Sequence, residues 1–199
     1  MYKIEIEPRI FHFKQPAGTS RGVYTERKSW LLTLTSDDMP GRKGVGECAP
    51  LPDLSCDATP EYEKTLNAVC ERFCQEGVIN YQMLRPYPSI LFGLETALLN
   101  LERGDIIFDN AFTRGEEGIT INGLVWMGSY EEMLARIEDK LEKGFHCVKL
   151  KIGAIDFDLE LEMVKKIRDR FSRREVELRV DANGGFTYEE ALYKMELLS

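Results

Sequence analysis

The sequence predicts an α+β capping domain, an antiparallel meander plus helices, followed by the first β/α units of a β/α barrel. Three observations carry that expectation. Segments of strand composition fill the N-terminal part and two helical segments follow them; the rhythm then changes to strand, helix, strand, helix, strand, helix. Two of the later strands also place charged side chains on alternate positions, which a strand covered by helices on both faces does not tolerate.

In chain order, "YKIEIEPRIFHF" and "SWLLTLTS" have strand composition, "DDMPGRKG" is a turn and "VGECAP" a short third strand. "TPEYEKTLNAVCERFCQEG" is a helix with Thr59 as N-cap, Pro60 at its first position and Gly77 as its stop. "PSILFGLETALLNLERG" is a second helix, apolar on most sides and therefore expected to be buried. Next, "GITINGLVW" is a strand, and "SYEEMLARIEDKLEKG" is a helix with a Ser129/Glu132 capping box, a stripe of Met133, Leu134, Ile137 and Leu141, and Gly144 as terminator. "HCVKLKI" is a strand. "DFDLELEMVKKIRDRFS" spaces Leu159, Met163, Ile167 and Phe171 as a helix face; "VELRVDAN" is the next strand, and "TYEEALYKMELLS" opens on a Thr187/Glu190 capping box. By itself this alternation fits a doubly wound sheet as well as a barrel.

The stretch "LERGDIIFDNAFTRGEEG" is the expected joint, giving a capping domain over 1–112 and the N-terminal part of a barrel over 113–199. Three β/α units close neither a barrel nor a typical doubly wound sheet, so the chain is expected to be part of a longer protein and inactive alone.

Composition narrows the function classes. A formal net charge of -8 with acidic and basic residues interspersed argues against nucleic acid as a partner. No apolar run reaches the roughly 18 residues of a membrane span, and "MYKIEIEPRI" is unlike a signal peptide, so no membrane association and a cytoplasmic location are expected. Five cysteines without C-x-x-C spacing suggest neither a disulfide framework nor a zinc knuckle. "GRKGVGE" lacks the third glycine of a dinucleotide fingerprint.

The chemistry concentrates on two strands. In "HCVKLKI", Val148, Leu150 and Ile152 fall on one face, and Lys149 and Lys151 on the other. In "VELRVDAN", Leu178, Val180 and Ala182 share a face, and Arg179, Asp181 and Asn183 the opposite one. If both polar faces look into a barrel, the lysines meet Asp181 and Asn183 near the C-terminal strand ends, where barrel active sites lie. The competing reading is a solvated edge strand followed by turn residues. Proton abstraction beside a carboxylate suits this set: Asp181 is a hard oxygen ligand for Mg²⁺, Lys151 the base and Lys149 its electrostatic helper.

The K-x-K strand followed thirty residues after its second lysine by "VDANGGF", behind a meander-plus-helix cap, resembles the enolase superfamily of the muconate-lactonizing type. Within it, "GVGECAPLPDLS", "PSILFGLETAL" and "INGLVW" are similar to the o-succinylbenzoate synthase family of menaquinone biosynthesis. The resemblance implies a small-molecule carboxylate substrate, Mg²⁺ (or Mn²⁺) as cofactor, and a syn dehydration begun by Lys151. It implies Asp181 as a metal ligand, and Asn183, Arg179 and Arg21 as substrate or supporting contacts. "QPAGTSRGVYTER" matches a cap loop over the substrate. Further metal ligands would lie on later strands. The alternatives are a dipeptide epimerase or N-acylamino acid racemase of the same superfamily, or a non-catalytic half-barrel that pairs its sheet edge with another chain. The oligomeric state is left open.

Overall fold

A computed structural model describes residues 1–19 and 22–199; Arg21 lies outside the described residues. The described elements are β1 (Tyr2–Thr19), β2 (Gly22–Ser36), β3 (Gly44–Cys48), α1 (Tyr62–Glu76), α2 (Tyr81–Leu84), α3 (Pro88–Arg103), β4 (Gly123–Val125), α4 (Tyr130–Glu142), β5 (Cys147–Lys151), α5 (Phe157–Arg170), β6 (Glu177–Asp181) and α6 (Tyr188–Leu198). They form two compact units, Met1–Gln15 with Thr25–Gly118, and Pro16–Tyr24 with Ile119–Ser199. The tip of the β1–β2 hairpin thus groups with the second unit, which a single cut in the chain does not describe.

In the first unit the sheet order is β1-β2-β3, with Trp30 opposite Cys48 and Leu34 opposite Gly44 in the antiparallel β2–β3 pair. Leu32 and Leu34 are buried against Leu66, Phe73, Ile90, Leu94 and Leu101 of the helices. Glycines let α3 lie directly on β3: a Cβ at Gly46 would sit 1.8 Å from the Gly93 carbonyl oxygen, and one at Gly93 2.3 Å from Cys48 Sγ. Two local expectations are corrected, and one short helix is added. α1 starts at Tyr62 with Glu61 as its N-cap and no side-chain cap, because Thr59 and Pro60 form the preceding turn, with Tyr62 N–H donating to Thr59 O. The one-turn helix α2, capped by Asn80 Oδ1 accepting from Met83 N–H, is too short to leave a periodic signature. The segment read as a cap loop is strand in its described part, as β1 runs to Thr19 and β2 starts at Gly22.

In the second unit β4, β5 and β6 form a parallel sheet in that order, with Leu124 beside Lys149, and Lys151 beside Asp181. Val125, Val148, Leu150 and Ile152 are buried with Met133, Ile137, Met163 and Ile167 of α4 and α5. Both capping boxes form, Ser129/Glu132 on α4 and Thr187/Glu190 on α6. The expected α5 face shifts: Leu159 is exposed, whereas Glu160 turns inward because its carboxylate is used by the loop after β5. Among the described residues, no helix is long and apolar enough to cross a membrane.

Candidate active site

The parallel register brings the polar residues of β5 and β6 together. Asp181 Oδ2 accepts from Lys149 Nζ at 2.7 Å and Lys151 Nζ at 2.8 Å. Lys151 Nζ also donates to Asn183 Oδ1 at 2.6 Å. Asp181 Oδ1 accepts the Asn183 backbone N–H at 3.0 Å, closing a tight Asx turn that places Asn183 at a left-handed φ of 48°. Side-chain exposure is 13% for Lys151, 26% for Asp181 and 32% for Lys149, so the cluster is sheltered at one edge and open at another. The Lys149 and Lys151 ammonium groups beside it hold the Asp181 carboxyl far below the ordinary carboxylate range.

The loop after β5 is built as carefully as the strand. Buried Glu160 accepts from Gly153 N–H at 2.7 Å and Ala154 N–H at 3.3 Å. Gly153, at φ 89°, faces the turn after β6, where an added Cβ would approach Ala182 O to 3.2 Å. The chain leaving Lys151 and the chain leaving Asp181 are therefore packed against each other.

The structure separates one expected residue from the rest. Arg179 lies on the same strand face but directs its guanidinium to Glu177, 2.8 Å away on its own strand, not to the lysines. Glu177 shares that face by the same alternation, two residues away, and is an immediate partner for the guanidinium. Nothing is described for Arg21.

Trp126, which sequence reasoning passed over, belongs with the cluster. Its ring centroid lies 5.8 Å from Lys151 Nζ, and its indole N–H donates to Gly18 O at 2.9 Å. The signal was present in "INGLVW": Leu124 and Trp126 alternate onto one face, and Leu124 sits beside Lys149 once the parallel register is known.

As a metal donor set, the cluster offers a single carboxylate. Among the described residues no three His, Cys, Asp or Glu side chains gather to hold an ion. Asp181 supplies one carboxylate with the Asn183 amide near it, whereas Mg²⁺ prefers about six oxygen ligands in all, water included.

Comparison with known proteins agrees with this architecture. Residues 14–101 match the family model "MenC, N-terminal domain", and residues 132–199 match "Enolase C-terminal domain-like". The chain is 37% identical to an o-succinylbenzoate synthase of Desulfotalea psychrophila over 94% of its own length and 59% of that protein's. A crystal structure of MenC from that organism superposes with a TM-score of 0.72 at 30% identity, over 98% of this chain and 61% of the other. An L-Ala-D/L-Glu epimerase of Bacillus subtilis is 38% identical over 86% of this chain and 49% of that protein. At 23% identity, an o-succinylbenzoate synthase of Thermosynechococcus elongatus with Mg in its active site shares the fold, with a TM-score of 0.68 over 99% of this chain and 56% of the other. The chain thus spans between about half and three fifths of the length of these relatives. With a capping unit matched by the MenC model and a β/α unit matched by the enolase model, in that order, the chain belongs to the enolase superfamily.

Proposed function

We propose that this chain carries the base-bearing part of an o-succinylbenzoate synthase, a carbon–oxygen lyase. Lys151 is the base. Its Nζ sits at the C-terminal end of β5 with N–H groups donated to Asp181 and Asn183, so the neutral amine keeps both donors engaged and its lone pair left to accept a proton. The observation that carries the reading is this convergence of two lysines, an aspartate and an asparagine at two adjacent strand ends, combined with the similarity to o-succinylbenzoate synthase over 94% of the chain.

In the proposed reaction the neutral Lys151 amine takes the proton alpha to the carboxylate of a hydroxylated cyclohexadiene carboxylate. The electron pair left behind forms the enediolate. The same nitrogen then returns its proton to the departing hydroxyl on the same face, releasing water and leaving the aromatic ring of o-succinylbenzoate. Lys149 adds positive charge beside the base, and Asn183 orients its Nζ. Asp181 is this chain's ligand for Mg²⁺, or Mn²⁺ in its place, an ion that when bound supplies charge neutralisation for the enediolate. Remaining ligands would come from outside the chain.

A second reading, dipeptide epimerisation, is favoured by the 38% identity to the Bacillus subtilis epimerase. It uses the same proton abstraction but returns the proton to carbon. Assaying the complete protein with the cyclohexadiene carboxylate and with L-Ala-L-Glu separates the two. Dehydration with no change at the dipeptide α-carbon is the expected result; epimerisation without dehydration would overturn the proposal.

A further inference from the structure

Resting on the assignment of Lys151 as the base, we propose that Trp126 is a positioning residue that covers the Lys151 ammonium and ties the hairpin tip to it. Trp126 directly follows β4, on the face that β4 shares with Lys149 and Lys151. The indole centroid is 5.8 Å from Lys151 Nζ, inside the roughly 6 Å over which a ring face attracts a cation. Asp181 Oδ2 and Asn183 Oδ1 hold the same nitrogen by hydrogen bonds, so three groups, from the residue after β4, from β6 and from the turn after β6, fix its position. The opposite function of the ring is at its edge, where the N–H donates to Gly18 O in the tip segment Pro16–Tyr24 of the same compact unit.

Trp126 is itself held in place. Arg136 of α4 donates to the carbonyl oxygens of Trp126 at 2.9 Å and Met127 at 2.8 Å. Two residues on, Gly128 packs beneath the Arg136 guanidinium and the Glu132 carboxylate, each 2.7 Å from where its Cβ would be. The indole therefore stands on a fixed backbone, 38% exposed. A surface tryptophan with no role would have no need of an arginine spent on its carbonyl, a cation under its face and a carbonyl at its N–H.

The test uses Trp126→Ala and Trp126→Phe in the complete protein, with two readouts. The first is the rate at which an acetyl N-hydroxysuccinimide ester labels Lys151, read by peptide mass spectrometry against Lys149 of the same strand. The second is the split between kcat and KM for dehydration. Trp126→Ala should speed Lys151 labelling at least fivefold relative to Lys149 and lower kcat at least tenfold. Trp126→Phe, which keeps a ring but loses the N–H, should restore slow labelling and near-parental kcat while raising KM severalfold through loss of the Gly18 contact. A Trp126→Ala protein whose labelling and kcat both stay within twofold of the parent overturns the inference. If the parent does not dehydrate the substrate at all but Trp126→Ala still exposes Lys151, the positioning role stands and the proposed reaction falls.

Discussion

β3 and β5 are strands of five residues each, one in each unit, and both alternate strictly, yet they use their second face in opposite ways. On β3 the inward residues are Gly44, Gly46 and Cys48, small because the α3 backbone lies on them, and the outward Val45 and Glu47 meet solvent. On β5 the inward Val148 and Leu150 are large aliphatics filling the space under α4 and α5, and the other face carries Lys149 and Lys151, sheltered rather than solvated. Period two sets which residues share a face. What that face does depends on the neighbour in register: β5 has Asp181 beside Lys151, and such a carboxylate offsets the desolvation of two ammonium groups.

The contrast can be broken at several points. The largest expected effect on stability is at Leu150→Ala, which removes a fully buried side chain and should cost about 2–5 kcal/mol in denaturant unfolding. Its neighbour Lys149→Ala should cost no more than about 1 kcal/mol, since Asp181 keeps Lys151 and the pair is partly exposed. Equal losses at the two positions would mean that β5 has no functional face. On β3, Gly46→Ala should destabilise by about 1–3 kcal/mol, because its Cβ would meet α3 backbone, whereas Val45→Ala should change stability by about 0.5 kcal/mol or less.

Glu160 sharpens the comparison through pH. Burial raises its pKa above the ordinary 4.5 more than the hydrogen bonds from Gly153, Ile155 and Ala154 lower it. With a folded-state pKa above the unfolded one, its contribution is complete below the unfolded value and is lost as pH rises through the folded value. Glu160→Gln, which keeps an acceptor oxygen, should therefore match or exceed the parent's stability at pH 7 and fall behind it near pH 4. Glu160→Ala leaves the loop N–H groups, Gly153 and Ala154 among them, unpaired and should cost about 1–3 kcal/mol at either pH. A parent that gains on Glu160→Gln as pH rises would contradict the assigned burial. The smallest effect is chemical. Burial pushes the Cys48 and Cys70 thiols up to about 12, so a thiol reagent at pH 8 should label exposed Cys56 first and leave those two until unfolding.

Much of this is legible in the sequence alone. Alternation in "VKLKI" separated Val148 and Leu150 from the lysines, and the Ser129/Glu132 and Thr187/Glu190 spacings placed two helix starts, because each rests on local geometry. What escaped depends on contacts that periodicity does not encode, one of them between segments distant in sequence. Trp126 joins the site only through the β4–β5 register and a partner, Gly18, more than a hundred residues earlier. Glu160 replaces Leu159 on the buried side of α5 because the loop at Gly153 needs an acceptor, which helical periodicity does not encode. Arg179 was placed on the correct face, yet its nearest carboxylate was local.

The central claim is that Lys151 is the proton-abstracting group, and replacing it by alanine in the complete protein tests this most directly. With Mg²⁺ supplied, dehydration of the cyclohexadiene carboxylate should fall by about 10²–10⁴-fold or more, the loss expected of a general base. The melting temperature should stay within a few degrees of the parent's. Turnover retained at the parental rate by a folded Lys151→Ala protein would contradict the account.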